Sequence, residues 1–449
     1  MSGCRLGAVL AALALLGPAP AAADNFLANN AGDQPDAVCR PEAGVCNLRT
    51  GILRARETPG PDTIFLGGGT YKNLGDDFVI APGEAITIQG AGRFRNQVRE
   101  VSGGDGHVFV VEAGARLTLD GLDVTGARAG AIVVRGDGAE LHAARVGFSD
   151  DHGGDGGALA VLGGARADVT ASLFESDSAA GRGGGVFVDG PNASVRLADS
   201  TLTGDGAATG TAVHVEHGTL ELAGSTVMGT GGMALAPALF VGPLGAARAE
   251  RSVLEDCAGA RPVSAGHNLQ GPAATCGLTG ATDRTGDPLL RPLGWFGGPT
   301  QSREPRRGSP VLDAGGGPPG CPRRSPDQRR IPRPQGRACD IGAFEVEHPT
   351  ISRLRVVPSR FRRTALVRFR LDVPARVRFD MIRLVPGRRP EVHLAAWTRT
   401  YRFGEPVSEA FPRRIGGRAL APGAYRLRLR PDSRGWPGPP VSTNLVVSP

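Results

Sequence analysis

A repeat of about two dozen residues dominates the chain between positions 108 and 256. Six short apolar segments in this region end on valine, and successive valines are separated by 23, 27, 27, 27 and 26 residues. These residues are Val111, Val134, Val161, Val188, Val215 and Val241. A fixed period in this range is typical of proteins built from stacked repeats, because no single repeat can close a core alone.

The segments within each repeat have the character of β-strands. They are short, β-branched and alternating, as in Ser194-Val-Arg-Leu and Thr219-Leu-Glu-Leu, and the sequence between them is too Gly-rich for helices. Period, strands and turns together resemble the right-handed parallel β-helix of the pectate-lyase type. The resemblance implies an all-β solenoid with three short strands per coil, stacked about 4.8 Å apart. Parallel crossovers also favour the right hand.

The first 23 residues have the pattern of a secretory signal peptide. Arg5 provides a positive start, residues 8–16 an apolar core, and Ala21-Ala22-Ala23 a small-residue cleavage site. The core is too short to cross a bilayer, and no later segment has eighteen apolar residues in a row. We therefore expect an exported protein without a transmembrane segment.

Six cysteines follow the signal, and an even number in an exported chain indicates disulfides. Six cysteines allow fifteen pairings, of which we favour pairing between sequence neighbours because each pair then lies within one module. The expected disulfides are Cys39–Cys46, Cys257–Cys276 and Cys321–Cys339. Since no Cys-x-x-Cys spacing occurs, a zinc site is not expected.

The net charge of +7 conceals an asymmetry between the two ends of the chain. Residues 350–449 hold 21 Arg and 6 acids (+15) and residues 291–349 hold 10 Arg and 6 acids (+4), which leaves −12 for residues 1–290. The basic end alternates with period two in about seven segments, which predicts an antiparallel β-sandwich. Its motif Ala421-Pro-Gly-Ala-Tyr-Arg-Leu is similar to a late strand of immunoglobulin-like and fibronectin-like exported domains.

Alternate arginines in these segments are expected to share one sheet face. They are Arg355, Arg368, Arg370, Arg376, Arg378, Arg426 and Arg428. Such a face could bind an anionic wall polymer, lipid headgroups or the acidic solenoid of a neighbouring molecule. The alternative is that an outer sheet face must simply be polar. Nucleic acid is not expected as a partner outside the cell, and the oligomeric state stays open.

The N-terminal part resembles the Cys-Ser-Leu-Arg-Glu-Ala module that opens many exported bacterial β-helix proteins. The matching residues are Cys46, Leu48, Arg49, Asp62, Thr63, Ile64, Gly69, Thr70 and Tyr71. Asn47 and Thr50 depart from that pattern. Leu48, Ile52 and Leu53 mark one side of a short helix, which would cap the open end of the solenoid.

The region after Cys257 resembles the choice-of-anchor Q module that ends the same class of surface proteins. The matching segments include Gly266-His-Asn-Leu, Gly297-Gly-Pro-Thr, Asp327-Gln-Arg-Arg and Ala338-Cys-Asp-Ile-Gly. Trp295-Phe296 depart from the usual Asp-Asn of that family. The resemblance covers about residues 25–346 and implies a place outside the cell or at its surface, without established chemistry.

These observations together predict five parts of the chain. They are a signal peptide (1–23), a cap with the first strands (24–80), the solenoid coils (81–265), the terminal module (266–346) and an Arg-rich sandwich (350–449).

Three aspartates recur one repeat apart and should stack into a ladder: Asp151, Asp177 and Asp205. The segments Phe148-Ser-Asp-Asp and Phe174-Glu-Ser-Asp resemble the Phe-x-x-Asn repeats of polymorphic outer-membrane proteins, with Asp in place of Asn. Stacked carboxylates repel unless they are solvated or bridged, and Ca²⁺ is the ion that could bridge them. The alternative is that Asp is simply a good turn residue.

Pectate-lyase-like folds often cut acidic polysaccharides, so the resemblance raises an enzymatic hypothesis. The best catalytic candidates are Asp150, Asp151, His152 and Asp177. No segment resembles the polygalacturonase motifs, and His214-Val-Glu-His217 lacks the spacing of a helical zinc protease and is expected to be a surface pair. We therefore expect a non-catalytic surface for binding or adhesion to glycans or envelope polymers. A Ca²⁺-dependent lyase or a glycoside hydrolase is the alternative, and a spacer without a ligand is a third hypothesis.

Overall fold

The structure, a computed structural model, describes most of the chain after the predicted signal peptide. The described residues are 24–29, 32, 46–58, 60–73, 76–90, 99–102, 106–229, 236–317, 321, 325–385, 392–401, 406–412, 414–415 and 418–449. Within them the chain forms a parallel β-solenoid followed by antiparallel sheets, which confirms the predicted fold class. No helix in this part of the chain is both long and apolar enough to span a membrane.

Each full coil of the solenoid contributes to three stacks of parallel strands, here called the first, second and third sheets. The first sheet contains Phe78–Ile80, Phe109–Val111, Ile132–Arg135, Leu159–Leu162, Val186–Asp189 and Cys257–Gly259. The second sheet contains Asn25–Ala28, Pro61–Leu66, Ala85–Gln89, Arg116–Asp120, Glu140–Ala144, Arg166–Thr170, Ser194–Ala198 and Val263–Ser264. Two long strands, Val213–Ala223 and Leu239–Glu250, run through both of these sheets.

The third sheet is built from very short strands. Its members are Gly69–Lys72, Arg99–Ser102, Asp123–Thr125, Gly147–Ser149, Leu173–Glu175, Thr201–Thr203, Thr226–Val227, Val253–Leu254, Leu269–Gln270 and Arg284–Thr285. A further pair of two-residue strands, His152–Gly153 and Ser178–Ala179, forms a small sheet at the corner that follows. The third sheet continues to Thr285, so its last two strands lie within the region predicted as the terminal module that closes the β-helix.

The predicted register is confirmed residue by residue. Val134 pairs in parallel with Val111 on one side and with Val161 on the other, and the pairing continues through Val188 and Val215 to Val241. These valines point into the lumen of the solenoid and are almost completely buried. One sequence repeat therefore corresponds to one coil, and the repeated valines form a single column of core side chains.

The corner before the third sheet carries a column of inward-pointing polar side chains. Ser200 Oγ accepts a hydrogen bond from the backbone N–H of Ser172 at 3.1 Å, and Ser252 Oγ does the same for Ser225 at 3.1 Å. Asn268 Oδ1 continues the column by accepting from the Ser252 N–H at 3.0 Å. Each coil turns at this corner through a residue with positive φ. These residues are Arg145, Ala171, Asp199, Gly224, Arg251 and His267.

A short helix, Leu48–Ala55, packs at the N-terminal end of the solenoid. Asn47 caps it, because its Oδ1 accepts a hydrogen bond from the Thr50 N–H at 2.7 Å, which is the usual role of a residue at this position. The apolar side chains that the helix buries are Leu48, Ile52 and Ala55. Leu53 was expected on the same side but is exposed, since it lies one position beyond the buried stripe of the helix.

The segment that follows the solenoid folds back over the outer face of the third sheet. Gln328 is fully buried there: its side-chain oxygen accepts from Thr201 Oγ1 at 2.6 Å, and its amide donates to the Ser172 carbonyl at 3.1 Å. The same amide nitrogen also donates to Thr300 Oγ1 at 3.0 Å. Apolar contacts complete the seal between sheet and segment. They are made by Val253, Leu269, Val311, Ala314 and Ile341.

Buried charges hold this terminal segment in its fold. Arg329 pairs with Asp327 at 2.7 Å and lies over the ring of Phe344 at 3.5 Å from its centroid. Arg333 pairs with Glu345 and reaches the solenoid corner at Asp199, 3.2 Å away. The Asp-Gln-Arg motif found in the sequence is therefore explained by the way the segment is fastened to the solenoid.

Disulfides join Cys257 to Cys276 and Cys321 to Cys339, as expected. Cys46 is disulfide-bonded as well, and its expected partner Cys39 lies outside the described residues.

The C-terminal region is a sandwich of two sheets around one core. One sheet contains Ile351–Val357, Thr364–Leu371 and Pro406–Pro412. The other contains Arg360–Phe361, Ala375–Arg383, Val392–Tyr401, Gly423–Ser433, Trp436–Pro437 and Val441–Val447, and a small hairpin joins Arg414–Ile415 to Arg418–Ala419. Tyr425 Oη donates to the Ala421 carbonyl at 2.6 Å, a contact typical of the tyrosine corner in immunoglobulin-like sandwiches.

We predict that Gln328→Ala lowers the free energy of unfolding by about 2–4 kcal/mol, because it leaves several buried hydrogen-bonding groups without a partner. Urea unfolding monitored by circular dichroism measures this change. Gln335→Ala is the matched control, since its amide donates at an exposed site to the Pro332 carbonyl. Equal effects of the two substitutions would contradict the fastening role of Gln328.

Candidate functional site

The three stacked aspartates point into the solenoid rather than toward solvent. Asp151, Asp177 and Asp205 have side chains that are completely buried. Asp177 Oδ1 accepts a hydrogen bond from the Asp151 N–H at 3.0 Å, and Asp205 Oδ1 accepts from the Asp177 N–H at 3.1 Å. The ladder thus joins neighbouring coils at the corner after the third sheet, as the serine column does at the corner before it.

The second oxygen of each ladder carboxyl, Oδ2, has no hydrogen-bond partner among the described residues. Loss of hydration in the buried site raises the pKa of Asp151 to about 8, and the neighbouring Asp150 charge adds to the effect. Burial also raises the pKa of Asp177 and Asp205 well above the ordinary range; at Asp177 the charges of Asp205 and Asp151 contribute further. The ladder therefore favours protonated carboxyls in the folded state.

The structure does not bring the catalytic candidates together on one surface. Asp150 is exposed at the corner with a φ of 56°, and His152 is exposed with its Nδ1 2.6 Å from Ser178 Oγ. Asp151 and Asp177 lie inside the wall, where a polymer on the outer surface cannot reach them. A general acid must lie within hydrogen-bond reach of the bond it cleaves, so this set is poorly placed for catalysis.

Ca²⁺ binding by the ladder stays a prediction. Across the described residues, no three His, Cys, Asp or Glu side chains are arranged to hold a metal ion. A bridging ion would use the unpartnered Oδ2 atoms of the ladder, because Ca²⁺ takes oxygen ligands. Such an ion would raise the unfolding temperature when Ca²⁺ replaces a chelator.

We predict that Asp177→Asn stabilises the chain at pH 8 by about 1 kcal/mol or more, since each unit of pKa shift corresponds to about 1.4 kcal/mol. A raised folded-state pKa gives stability that is complete below the unfolded pKa of about 3.9 and is lost as pH rises through the folded-state value. The wild type should therefore lose stability between about pH 4 and 8, the value for Asp151. Asn keeps the Oδ1 acceptor and has no charge to lose.

Unfolding midpoints across this pH range test the prediction. Asp137→Asn, at an exposed corner, is the matched control and should leave the slope of stability against pH unchanged. The role assigned to the ladder fails if Asp177→Asn and the control have the same slope.

Two of the three outer faces of the solenoid are covered. Outward side chains in the middle of the first sheet are buried, among them Val133, Phe187 and His214. The Gly-rich tails lie on this face: at Gly156 and Gly183 an added Cβ would come within 2.7 Å of a carbonyl oxygen of the following strand. The terminal segment described above covers the third sheet around Thr201, Thr226 and Val253.

His214 corrects an expectation from the sequence. It was expected at the surface, but it is 2% exposed and stacks on Phe240 with 4.7 Å between ring centroids. Its Nδ1 lies 3.0 Å from Thr209 Oγ1, and its Nε2 lies 2.9 Å from Glu216 Oε2. Only its companion His217 is partly exposed, where it pairs with Asp189.

The outer face of the second sheet is open and forms a groove that crosses five coils. Its volume is about 690 Å³. One column of outward side chains contains His142, Asp168, Arg196, Glu221 and Arg248, and the neighbouring column contains Glu140, Arg166, Ser194, Thr219 and Ala246. These side chains are exposed or half-buried, whereas many of their equivalents in the middle of the other two sheets are buried, such as Val133 and Phe187 on the first and Thr201 on the third.

Charge alternates along the groove. Arg196 lies 3.2 Å from Asp168 on one side and 3.9 Å from Glu221 on the other, and Arg116 pairs with Glu140 at 2.6 Å near one end. Such exposed pairs contribute little to stability because water screens them. They can therefore exchange partners with a ligand at low cost.

The arginines of the sandwich do not share one face. Arg355, Arg368 and Arg370 lie on the three-stranded sheet. The other four lie on the six-stranded sheet: Arg376, Arg378, Arg426 and Arg428. The expectation of one shared face is wrong, because period-two alternation sets the face within a sheet but not which of the two sheets a strand joins. Buried Asp380 pairs with Arg378 at 2.8 Å and with Arg430 at 2.9 Å, which neutralises part of one face. Binding by these arginines stays a prediction.

Sequence reasoning missed the groove. Its residues belong to the second segment of each repeat, whose alternation was visible, as in Glu140-Leu-His-Ala and Thr219-Leu-Glu-Leu. The missing information was which outer faces the Gly-rich tails and the terminal segment cover.

No protein-family model and no curated protein matches the chain.

Proposed function

We propose that the chain is an exported, non-catalytic β-helix protein whose second-sheet groove binds an extended glycan or envelope polymer. The observation that carries this proposal is that the second sheet keeps its outer face open over five coils, while the middle parts of the other two sheets are covered. The packing of the solenoid does not require this sheet face to stay exposed, whereas binding of a long ligand to it does.

The dimensions of the groove fit a chain-like ligand. Five stacked strands at about 4.8 Å span about 19 Å from the first to the fifth, which matches several sugar units in an extended chain. The groove runs across the coils, so a polymer would cross one strand after another and contact alternating acidic and basic side chains. Many weak contacts of this kind give adhesion through length rather than through one deep pocket.

Features outside the groove support a location outside the cell. The disulfides Cys257–Cys276 and Cys321–Cys339 suit an oxidising compartment. The signal peptide expected from the sequence and the resemblance to bacterial surface β-helix proteins agree with such a location. We infer that the Arg-rich sandwich attaches the protein to the anionic cell envelope, through the outward arginines of both its sheets.

Hydrolysis of a polysaccharide is the second candidate, because the groove contains its own carboxylates. The strands of Asp168 and Glu221 lie two coils apart, about 9.6 Å between backbones at ordinary strand spacing. Inverting glycosidases separate their two carboxyl groups by about 6.5–9.5 Å. Arg196 lies between the two and pairs with both, which favours binding over catalysis.

We predict that Thr219→Trp weakens polymer binding by about tenfold or more, because the indole would fill part of the groove and block the path of a polymer along it. The assay uses a panel of acidic and neutral polysaccharides and purified envelope fractions. It records both co-sedimentation of the chain and new reducing or unsaturated sugar ends. Binding without new ends is the expected result.

Thr364→Trp is the matched control, since Thr364 is exposed on the sandwich and lies outside the groove. If both substitutions weaken binding equally, the groove is not the site. New reducing ends without unsaturation that disappear in Asp168→Asn would establish the hydrolytic alternative. Absence of binding to every polymer would support a spacer.

A further inference from the structure

A second concave site lies between the terminal segment and the sandwich. The cleft has a volume of about 750 Å³ and is lined mainly by arginine and aromatic side chains. Its lining residues include Arg291, Arg306, Arg307, Arg434, Phe296 and Trp436. Four guanidinium groups around one cleft make a strongly cationic site, because arginine stays charged at every physiological pH.

Acidic side chains of the described residues form a direct ion pair with one of the four arginines, while the charges of Glu347 and Glu304 act on Arg434 from a greater distance. Glu304 is buried, pairs with Arg291 at 3.1 Å and accepts from Trp436 Nε1 at 3.3 Å. Throughout the described part of the chain, Arg306, Arg307 and Arg434 have no carboxylate within ion-pair distance. Partial burial is the main effect that lowers the pKa of the Arg434 guanidinium, which nevertheless stays charged at physiological pH.

Arg434 occupies an unusual backbone position. It lies with Gly435 in the two-residue turn between Ser433 and Trp436, and the φ angles of the turn residues are 51° and 90°. Positive φ at both central residues is typical of a type I′ hairpin turn, which favours Asn-Gly. An arginine at the first position adopts a backbone conformation that is unfavourable for it, and the turn directs its side chain to the cleft.

Aromatic rings flank two of the guanidinium groups and form apolar walls of the cleft. Arg434 lies 5.9 Å from the centroid of the Phe296 ring, and Arg307 lies 5.8 Å from that of Trp436. Phe296 belongs to the Trp-Phe pair that departs from the terminal-module pattern in the sequence. That departure therefore lies within the cleft.

We propose that this cleft binds a short anionic oligosaccharide, carboxylated or sulfated. Guanidinium forks match the planar oxygens of carboxylate and sulfate groups, and the rings provide surfaces for the C–H faces of sugars. The volume suits a ligand of a few sugar units. The cleft shares no residues with the second-sheet groove, so this site is independent of the one proposed above. The choice of carbohydrate over other anions rests on the proposed export.

The test is calorimetric titration of the full chain with trigalacturonate, a sulfated disaccharide, neutral maltotriose, inorganic sulfate and a trinucleotide. We expect trigalacturonate or the sulfated disaccharide to bind, with an affinity that falls as salt rises. Maltotriose and sulfate alone should bind at least about tenfold more weakly, because one lacks charge and the other lacks a sugar face.

Arg434→Asn is the diagnostic variant. It removes the cation but supplies the residue that a type I′ turn prefers, so binding should fall by about tenfold while the unfolding temperature stays the same or rises. Arg353→Asn is the matched control: Arg353 is also an exposed sandwich arginine with positive φ, at 55°, outside the cleft. Thr219→Trp should leave this binding unchanged, which separates the cleft from the groove.

Several outcomes would overturn the proposal. They are absence of binding by both charged sugars, equal binding by maltotriose or by sulfate alone, preferential binding of the trinucleotide, and equal losses in Arg434→Asn and Arg353→Asn.

Discussion

Alignment of one coil directly over the next is the constraint on which the rest of this structure depends. Backbone pairing sets the spacing between coils, but the corners need separate control because the chain leaves the strand conformation there. Two columns of inward side chains provide it: serines before the third sheet and aspartates after it, each accepting an N–H from the neighbouring coil. Positive φ at the preceding residue turns each of these side chains into the wall.

The covered faces determine where function can lie. Gly-rich tails cover the first sheet, and the terminal segment covers the third through buried hydrogen bonds around Gln328. The second sheet keeps a row of exposed and half-buried charged side chains across five described coils. The sequence suggested the aspartate ladder as a catalytic or metal-binding site, but in the structure it lies inside the solenoid and aligns neighbouring coils. The surface that can meet a polymer is carried instead by the alternate residues of the second segment.

The solenoid could be predicted from the sequence because the spacing of one series of valines shows its period. In the structure, the valines from Val111 to Val241 pair as expected. The inward direction of Asp151 and Asp177 could not, because a turn aspartate can point either way and the choice depends on the φ of the residue before it. The sequence also could not predict which arginines share a sheet, because the assignment of strands to the two sheets depends on tertiary packing. The Arg434 cleft required contact between two regions more than a hundred residues apart.

Carboxyl footprinting of the chain, with and without the polymer that co-sediments with it, tests the central claim most directly. A carbodiimide and an amine label exposed acids, and mass spectrometry locates the labels. The account predicts that Glu140, Asp168 and Glu221 are labelled in the free chain and protected by the polymer, while exposed Asp137 is labelled equally in both. Protection of other acids, with the three groove carboxylates unchanged, would contradict it.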